Sequence, residues 1–178
     1  MATRLLMVRH GETVLGAQDR YAGHSDTPLT PRGRRQVAAL RRRLPAPDVV
    51  YCSDLARCRE TAALLVPGRE IVVSRRIREI DFGRWEGLTK AQVVEKYGEA
   101  YRRWHADPSS GTPYRGESVP DLRRRVRRFA AEVARRHPGK AVLFVTHGGV
   151  IRALLDVPFE GYWDLKVPPA TLWKVEWR

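Results

Sequence analysis

Two histidines in this chain each follow an apolar run and precede a glycine: Val8-Arg9-His10-Gly11 and Thr146-His147-Gly148-Gly149. Near neutral pH an imidazole can attack, carry a proton or bind an anion. A glycine beside it lets a ligand approach the backbone closely. Arg9 stands next to the first histidine. A third apolar run, ending at Tyr51-Cys52-Ser53, leads through Asp54-Leu55-Ala56 to Arg57. The planar guanidinium binds phosphate oxygens in pairs, which lysine cannot do. Arg9, Arg57, His10 and His147 gathered at one rim would make a site for a dianion. Gly148 would lead into a helix over Val150–Leu155, whose free backbone N–H groups suit the same charge.

For these side chains to meet, the apolar runs must lie side by side as strands. Leu5–Val8, Val49–Tyr51, Ile71–Val73 and Ala141–His147 are short continuous runs, as expected of strands buried on both faces. Between them lie helical patterns. Thr30–Leu44 starts with a plausible N-cap, Thr30, and with Pro31 in the first helical position. Asp54–Val66 reads as a helix capped by Ser53, with Arg57 near its first turn. Val119–His137 carries Leu122, Val126, Phe129 and Val133 on one helical face. Thr171–Trp177 alternates enough to be a last strand at an edge. Strand and helix in turn predict a single α/β domain, with a mostly parallel central sheet and helices on both faces. In such sheets ligands bind beyond the carboxyl ends of the strands, where both histidines would stand. The longest loop-like stretch is Ala106–Glu117, a length common in lids and binding loops.

The 178 residues, 43% hydrophobic and 30% charged, suit one soluble domain over 1–178. No apolar run approaches the roughly 20 residues that span a bilayer, and the first residues are too quickly charged for a secretory leader. A cytoplasmic protein is expected, with no membrane partner. Cys52 and Cys58 read as small buried hydrophobes rather than a disulfide framework. The formal charge is +13. Five of the 33 basic residues are lysine, leaving 28 arginines, and asparagine is absent. That composition fits a thermophilic source or a GC-rich genome. The runs Arg41–Arg43 and Arg123–Arg125 read as solvated helix faces. No nucleic-acid motif accompanies the charge, so no nucleic-acid partner is expected.

RHGET at 9–13, SDLARCRETA at 53–62, EIDFGRWEG at 79–87 and THGG at 146–149 closely resemble the histidine phosphatase superfamily, the phosphoglycerate mutase-like family. GHSDTPLTPRG at 23–33 is also similar to its early segment, and the motifs stand in family order. The resemblance implies that His10 is the nucleophile, taking the phosphoryl group as a phosphohistidine. Its other ring nitrogen would donate to a backbone carbonyl. Arg9, Arg57 and His147 would hold the phosphoryl oxygens, and Glu79 would protonate the leaving oxygen and then deprotonate water. No metal and no cofactor is implied. A metal bound by His10, Glu12 and His147 is disfavoured by the flanking arginines. Glu12 would orient the loop, while His24, His105 and His137 carry no assigned role. The family often has an aromatic residue and then asparagine where Leu15 and Gly16 stand here. That leaves only a backbone N–H at Gly16 to meet the phosphate.

Within the family, the short length and EIDFGRWEG look like the phosphatase branch. Its compact bacterial members resembling α-ribazole phosphatase, of the cobalamin pathway, are the nearest match. The expected partner is a small phosphorylated metabolite, such as α-ribazole 5′-phosphate. The alternative is a cofactor-dependent phosphoglycerate mutase, which must hold a second phosphate and exclude water. Ala106–Glu117 is the candidate cover. The sequence leaves a homodimer open.

Overall fold

In the computed structural model, which describes residues 1–177, five strands form one sheet in the order β3-β2-β4-β1-β5. These are β1 (Thr3–Arg9), β2 (Val49–Ser53), β3 (Val72–Ser74), β4 (Ala141–Thr146) and β5 (Leu172–Trp177). β1 to β4 run parallel; β5 joins the edge of β1 antiparallel. The helices are α1 (Val14–Ala17), α2 (Pro31–Arg41), α3 (Ala56–Leu65), α4 (Lys90–Ala106), α5 (Val119–Arg136) and α6 (Gly148–Leu154). Among the described residues, no helix is long and apolar enough to cross a membrane.

Alternation along the strands sorts the core into two layers. Leu5, Met7, Tyr51, Val142 and Phe144 meet α5 and α6 on one face, including Val126, Phe129, Val133 and Ile151. Leu6, Val8, Val50, Cys52, Leu143 and Val145 meet Val37 and Leu40 of α2 and Cys58, Ala62 and Leu65 of α3 on the other. Both faces of β1 and β4 are thus covered, which explains why those strands read as continuous apolar runs. The register Arg9↔Thr146 brings the carboxyl ends of β1 and β4 level, and β2 ends beside them with Cys52 against Val145.

Thr30 caps α2 by accepting from the Gly33 N–H. Ser118 caps α5, accepting from Asp121. Ser53 does not cap α3. That helix starts later, at Ala56, with Leu55 at the cap position, because Ser53 is still the last residue of β2. α4 went unread in the sequence. Its capping box, Thr89 with Gln92, is present, and its buried Val93, Tyr101 and Trp104 join Trp85 in a third cluster. A non-helical Tyr97 beside Gly98 interrupts the periodicity that would have revealed it.

Two expectations about surface segments are corrected. In the run Arg123–Arg125, only Arg124 is solvated. Arg123 donates to the Val157 carbonyl, and Arg125 binds Glu117 and the carbonyls of Arg76, Arg78 and Glu79. The Ala106–Glu117 stretch is tied down by Arg84 N–H to the Tyr114 carbonyl and Glu117 N–H to the Asp81 carbonyl. It does not line the cleft at the strand ends.

Candidate active site

That cleft, about 230 Å³, is lined by Arg9, His10, Thr13, Gly16, Arg20, Tyr21, Ala22, Arg57, Glu79, Phe82, Gly148 and Arg152. The structure brings all six residues singled out in the sequence to this one place. Five line the cleft; His147 stands just behind, fully buried, its ring edge-on to His10 with centroids 5.2 Å apart.

His10 is held by its backbone and its ring. Its N–H joins the sheet through the Thr146 carbonyl, and Nδ1 lies 2.8 Å from the Gly11 carbonyl oxygen. A carbonyl only accepts, so Nδ1 carries the proton and Nε2 keeps its lone pair. Burial, reinforced by the cations of Arg57 and Arg9, pushes His10 well below the ordinary histidine range. The ring is therefore neutral at pH 7. A neutral imidazole with one fixed tautomer is a competent nucleophile at Nε2. His147 is pushed down for the same reasons, burial first and then Arg57, His10 and Arg9. Its Nε2 lies 2.9 Å from Ser53 Oγ, which accounts for the Ser53 hydroxyl that capping did not use. Cys58 Sγ is 3.4 Å from the same nitrogen, and burial keeps that thiol protonated.

The two arginines are clamped by carbonyls. Arg57, fully buried, donates from Nη1 to Ser25 and from Nη2 to Ala22 and Gly23. Arg9 donates from Nη1 to Val167. Carbonyls orient a guanidinium without neutralising it, so both keep their charge for the cleft. The Nε groups of Arg9 and Arg57 are buried and have no hydrogen-bond partner in the protein. An orphaned buried N–H costs about 1–3 kcal/mol.

Glu79 sits at the start of α6. Its carboxylate accepts from the Gly149 N–H at 3.1 Å to each oxygen, and from the Ile80 N–H at 2.9 Å. The helix start thus serves the carboxylate rather than reserving that N–H for a phosphate. The approach needs a glycine: a Cβ on Gly149 would stand 2.2 Å from Glu79 Oε1. Gly16 likewise spends its N–H locally, on Thr13 Oγ1, the cap of α1. Glu12 accepts from Thr30 Oγ1 and pairs with Arg32, as befits a loop-orienting residue.

Sequence reasoning missed Glu86. Its carboxylate accepts the N–H groups of Gly23, His24, Ser25 and Phe82, at 2.8–3.2 Å. It therefore shapes the turn whose carbonyls hold Arg57. The signal was present, since Glu86 lies inside EIDFGRWEG, but charge alone could not tell an organiser from a reactant. His24 is near the rim, with Nε2 3.1 Å from the Glu79 carbonyl. His105 stacks on Trp163 and His137 meets the Tyr51 hydroxyl, away from the cleft.

The family model of the histidine phosphatase superfamily (branch 1) matches residues 5–178. The chain belongs to that superfamily. Its relatives include phosphoserine phosphatase 1 of Hydrogenobacter thermophilus, 36% identical over 90% of this chain and 80% of that one. The adenosylcobalamin/alpha-ribazole phosphatase of Salmonella typhimurium is 36% identical over 92% of this chain and 85% of its own. Among solved structures, the mycobacterial glucosyl-3-phosphoglycerate phosphatase in complex with VO3 superposes with a TM-score of 0.86 and 34% identity, covering 96% and 91% of the two chains. The chain is a histidine phosphatase for small phosphorylated metabolites. The three relatives are named for three different substrates.

Proposed function

We propose that this histidine phosphatase works through His10 as a phosphomonoesterase with a covalent phosphohistidine intermediate. His10 Nε2 attacks phosphorus, the N–P bond forms and the ester P–O bond breaks. Glu79, entering the step as the carboxylic acid, gives the departing oxygen its proton and is left as the carboxylate. Glu79 then takes a proton from water, whose oxygen attacks phosphorus, and the N–P bond breaks to release inorganic phosphate. Arg9 and Arg57 carry the charge that builds on the phosphoryl oxygens, while His147 packs edge-on behind His10. No step calls for a metal.

The observation that carries this reading is the neutral His10, with Nδ1 committed to the Gly11 carbonyl, lining the same cleft as Arg9 and Arg57. Nucleophile and anion clamp share one cleft with a single carboxylate, Glu79. Ala106–Glu117 lies outside that cleft, so nothing from it walls off water as a mutase requires. This favours hydrolysis over the mutase alternative.

The substrate is one of the small monoesters its relatives suggest: α-ribazole 5′-phosphate, phosphoserine or glucosyl-3-phosphoglycerate. The test is a panel of these esters with phosphoglycerates and nitrophenyl phosphate, assayed in chelator for phosphate release. Turnover of at least one ester is expected, abolished in His10→Ala. Activity that needs an added divalent metal, or that survives His10→Ala, overturns the reading.

A further inference from the structure

One cation in the cleft is left over from the chemistry above. Four arginines line it, Arg9, Arg20, Arg57 and Arg152, against the one carboxylate of Glu79. Arg20 is taken up by the Gly87 carbonyl and the side chains of Gln18 and Gln92. Arg9 and Arg57 face the phosphoryl site. Arg152 is different. Its Nε donates to the Leu165 carbonyl at 3.0 Å, which fixes the plane of the guanidinium. The rings of Tyr162 and Trp163 support it, each centroid 5.8 Å from Cζ.

That leaves the Nη1–Nη2 edge. Among the described residues Arg152 makes no salt bridge, although Arg76, Arg78, Arg123 and Arg125, also anchored against the fold, all do. The edge lies beside the phosphoryl site. The point where a Gly148 Cβ would stand is 3.5 Å from Arg152 Nη1 and 3.9 Å from Arg9 Cζ. Two guanidinium groups flanking one glycine repel each other unless anions lie against them. For Arg9 those anions are Glu79 and a phosphoryl group on His10. Another is wanted for Arg152.

We propose that Arg152 recognises a carboxylate on the substrate, so that this enzyme prefers small phosphomonoesters bearing a carboxylate close to the ester oxygen. The inference rests on the phosphohistidine reading of the same cleft. A carboxylate fits because two parallel N–H groups on one guanidinium edge match its two oxygens. A second phosphate dianion would need more cations than this single edge provides. Among the substrates suggested by the relatives, phosphoserine and glucosyl-3-phosphoglycerate carry such a group, while α-ribazole 5′-phosphate does not. Arg152 is a specificity residue in this account and takes no part in bond breaking.

The experiment compares O-phosphoserine with O-phosphoethanolamine, which is the same ester without the carboxylate. The wild-type protein should favour phosphoserine in kcat/KM by roughly 10- to 100-fold, the range of a hydrogen bond between charged groups. Phosphoserine methyl ester should lose that preference, a check that needs no variant. Arg152→Gln should raise the KM for phosphoserine about 10-fold or more and change phosphoethanolamine turnover less than about 3-fold. Arg152→Lys should recover part of the loss. Equal wild-type turnover of the two esters, or a parallel fall of both in Arg152→Gln, overturns the assignment. Failure to hydrolyse even nitrophenyl phosphate would instead sink the phosphatase reading beneath it.

Discussion

The contact between Glu79 and the start of α6 can be broken by one methyl group. A Cβ added to the Gly149 backbone stands 2.2 Å from Glu79 Oε1, where carbon and oxygen need about 3.4 Å. The obstructing atom is the tip of a flexible side chain, and the next neighbour, Leu122 Cδ2, is 3.2 Å away. Gly149→Ala should therefore fold, at the cost of pushing the carboxylate roughly 1 Å from its place and away from the Gly149 N–H. A displacement of that size in a catalytic group costs on the order of 100-fold in rate. The loss should depend on the leaving group. An alkoxide needs its proton in the transition state and a nitrophenolate hardly does. The assay is kcat/KM, which ends at loss of the leaving group and leaves out the shared hydrolysis of the phosphohistidine, for an alkyl phosphate and for nitrophenyl phosphate, in wild type, Gly149→Ala and Glu79→Gln, with thermal melts confirming folding. The alkyl ester should fall about 100-fold and the nitrophenyl ester far less, in both variants. Equal losses on the two esters, in folded protein, would show that Glu79 is not the proton donor.

Other expectations follow from the same geometry. Arg57→Lys cannot reproduce three bonds to the carbonyls of Ala22, Gly23 and Ser25, nor present Nε, so inorganic phosphate should inhibit it about 10-fold more weakly than wild type. His10 and His147 are held neutral below the unfolded value of 6.5. The unfolded chain binds protons as the pH falls through that value, and the folded chain does not. Stability is thus complete above about pH 6.5 and declines below it, by up to roughly 1.4 kcal/mol per pH unit for each ring. Urea titrations at pH 7.5 and 5.5 measure this, and His10→Gln should flatten the slope. Supplying 2,3-bisphosphoglycerate should leave phosphate release dominant over interconversion of 2- and 3-phosphoglycerate. Rapid isomerisation with little phosphate would establish the mutase alternative while keeping His10 as the nucleophile.

The sheet was legible because its central strands are buried on both faces: Leu5–Val8 and Ala141–Val145 are unbroken apolar runs. The rim residues were legible because parallel strands deliver their last side chains to one edge, and RHGET and THGG stand at two such ends. α4 was not, since its buried surface is a few aromatic rings on a helix interrupted at Tyr97. The partners of Arg57 were hidden for another reason. They are backbone carbonyls shaped by Glu86, 29 positions further along the chain, and carbonyls leave no mark in a sequence. The roles of Arg123 and Arg125 were concealed by composition, because a chain so rich in arginine gives no sign of which guanidinium turns inward. Arg152 was overlooked on the same ground.

The central claim is that phosphorus bonds to His10, and to one nitrogen of it. Nδ1 is committed to the Gly11 carbonyl at 2.8 Å, which leaves Nε2 to react. The direct measurement is rapid mixing with a good phosphate donor, quenched into base where phosphohistidine survives, followed by peptide mapping and phosphorus NMR. The account predicts phosphate on His10 as the Nε2 isomer, formed and discharged at rates that match turnover. Phosphate on another residue, the Nδ1 isomer, or steady turnover with no covalent intermediate would contradict it.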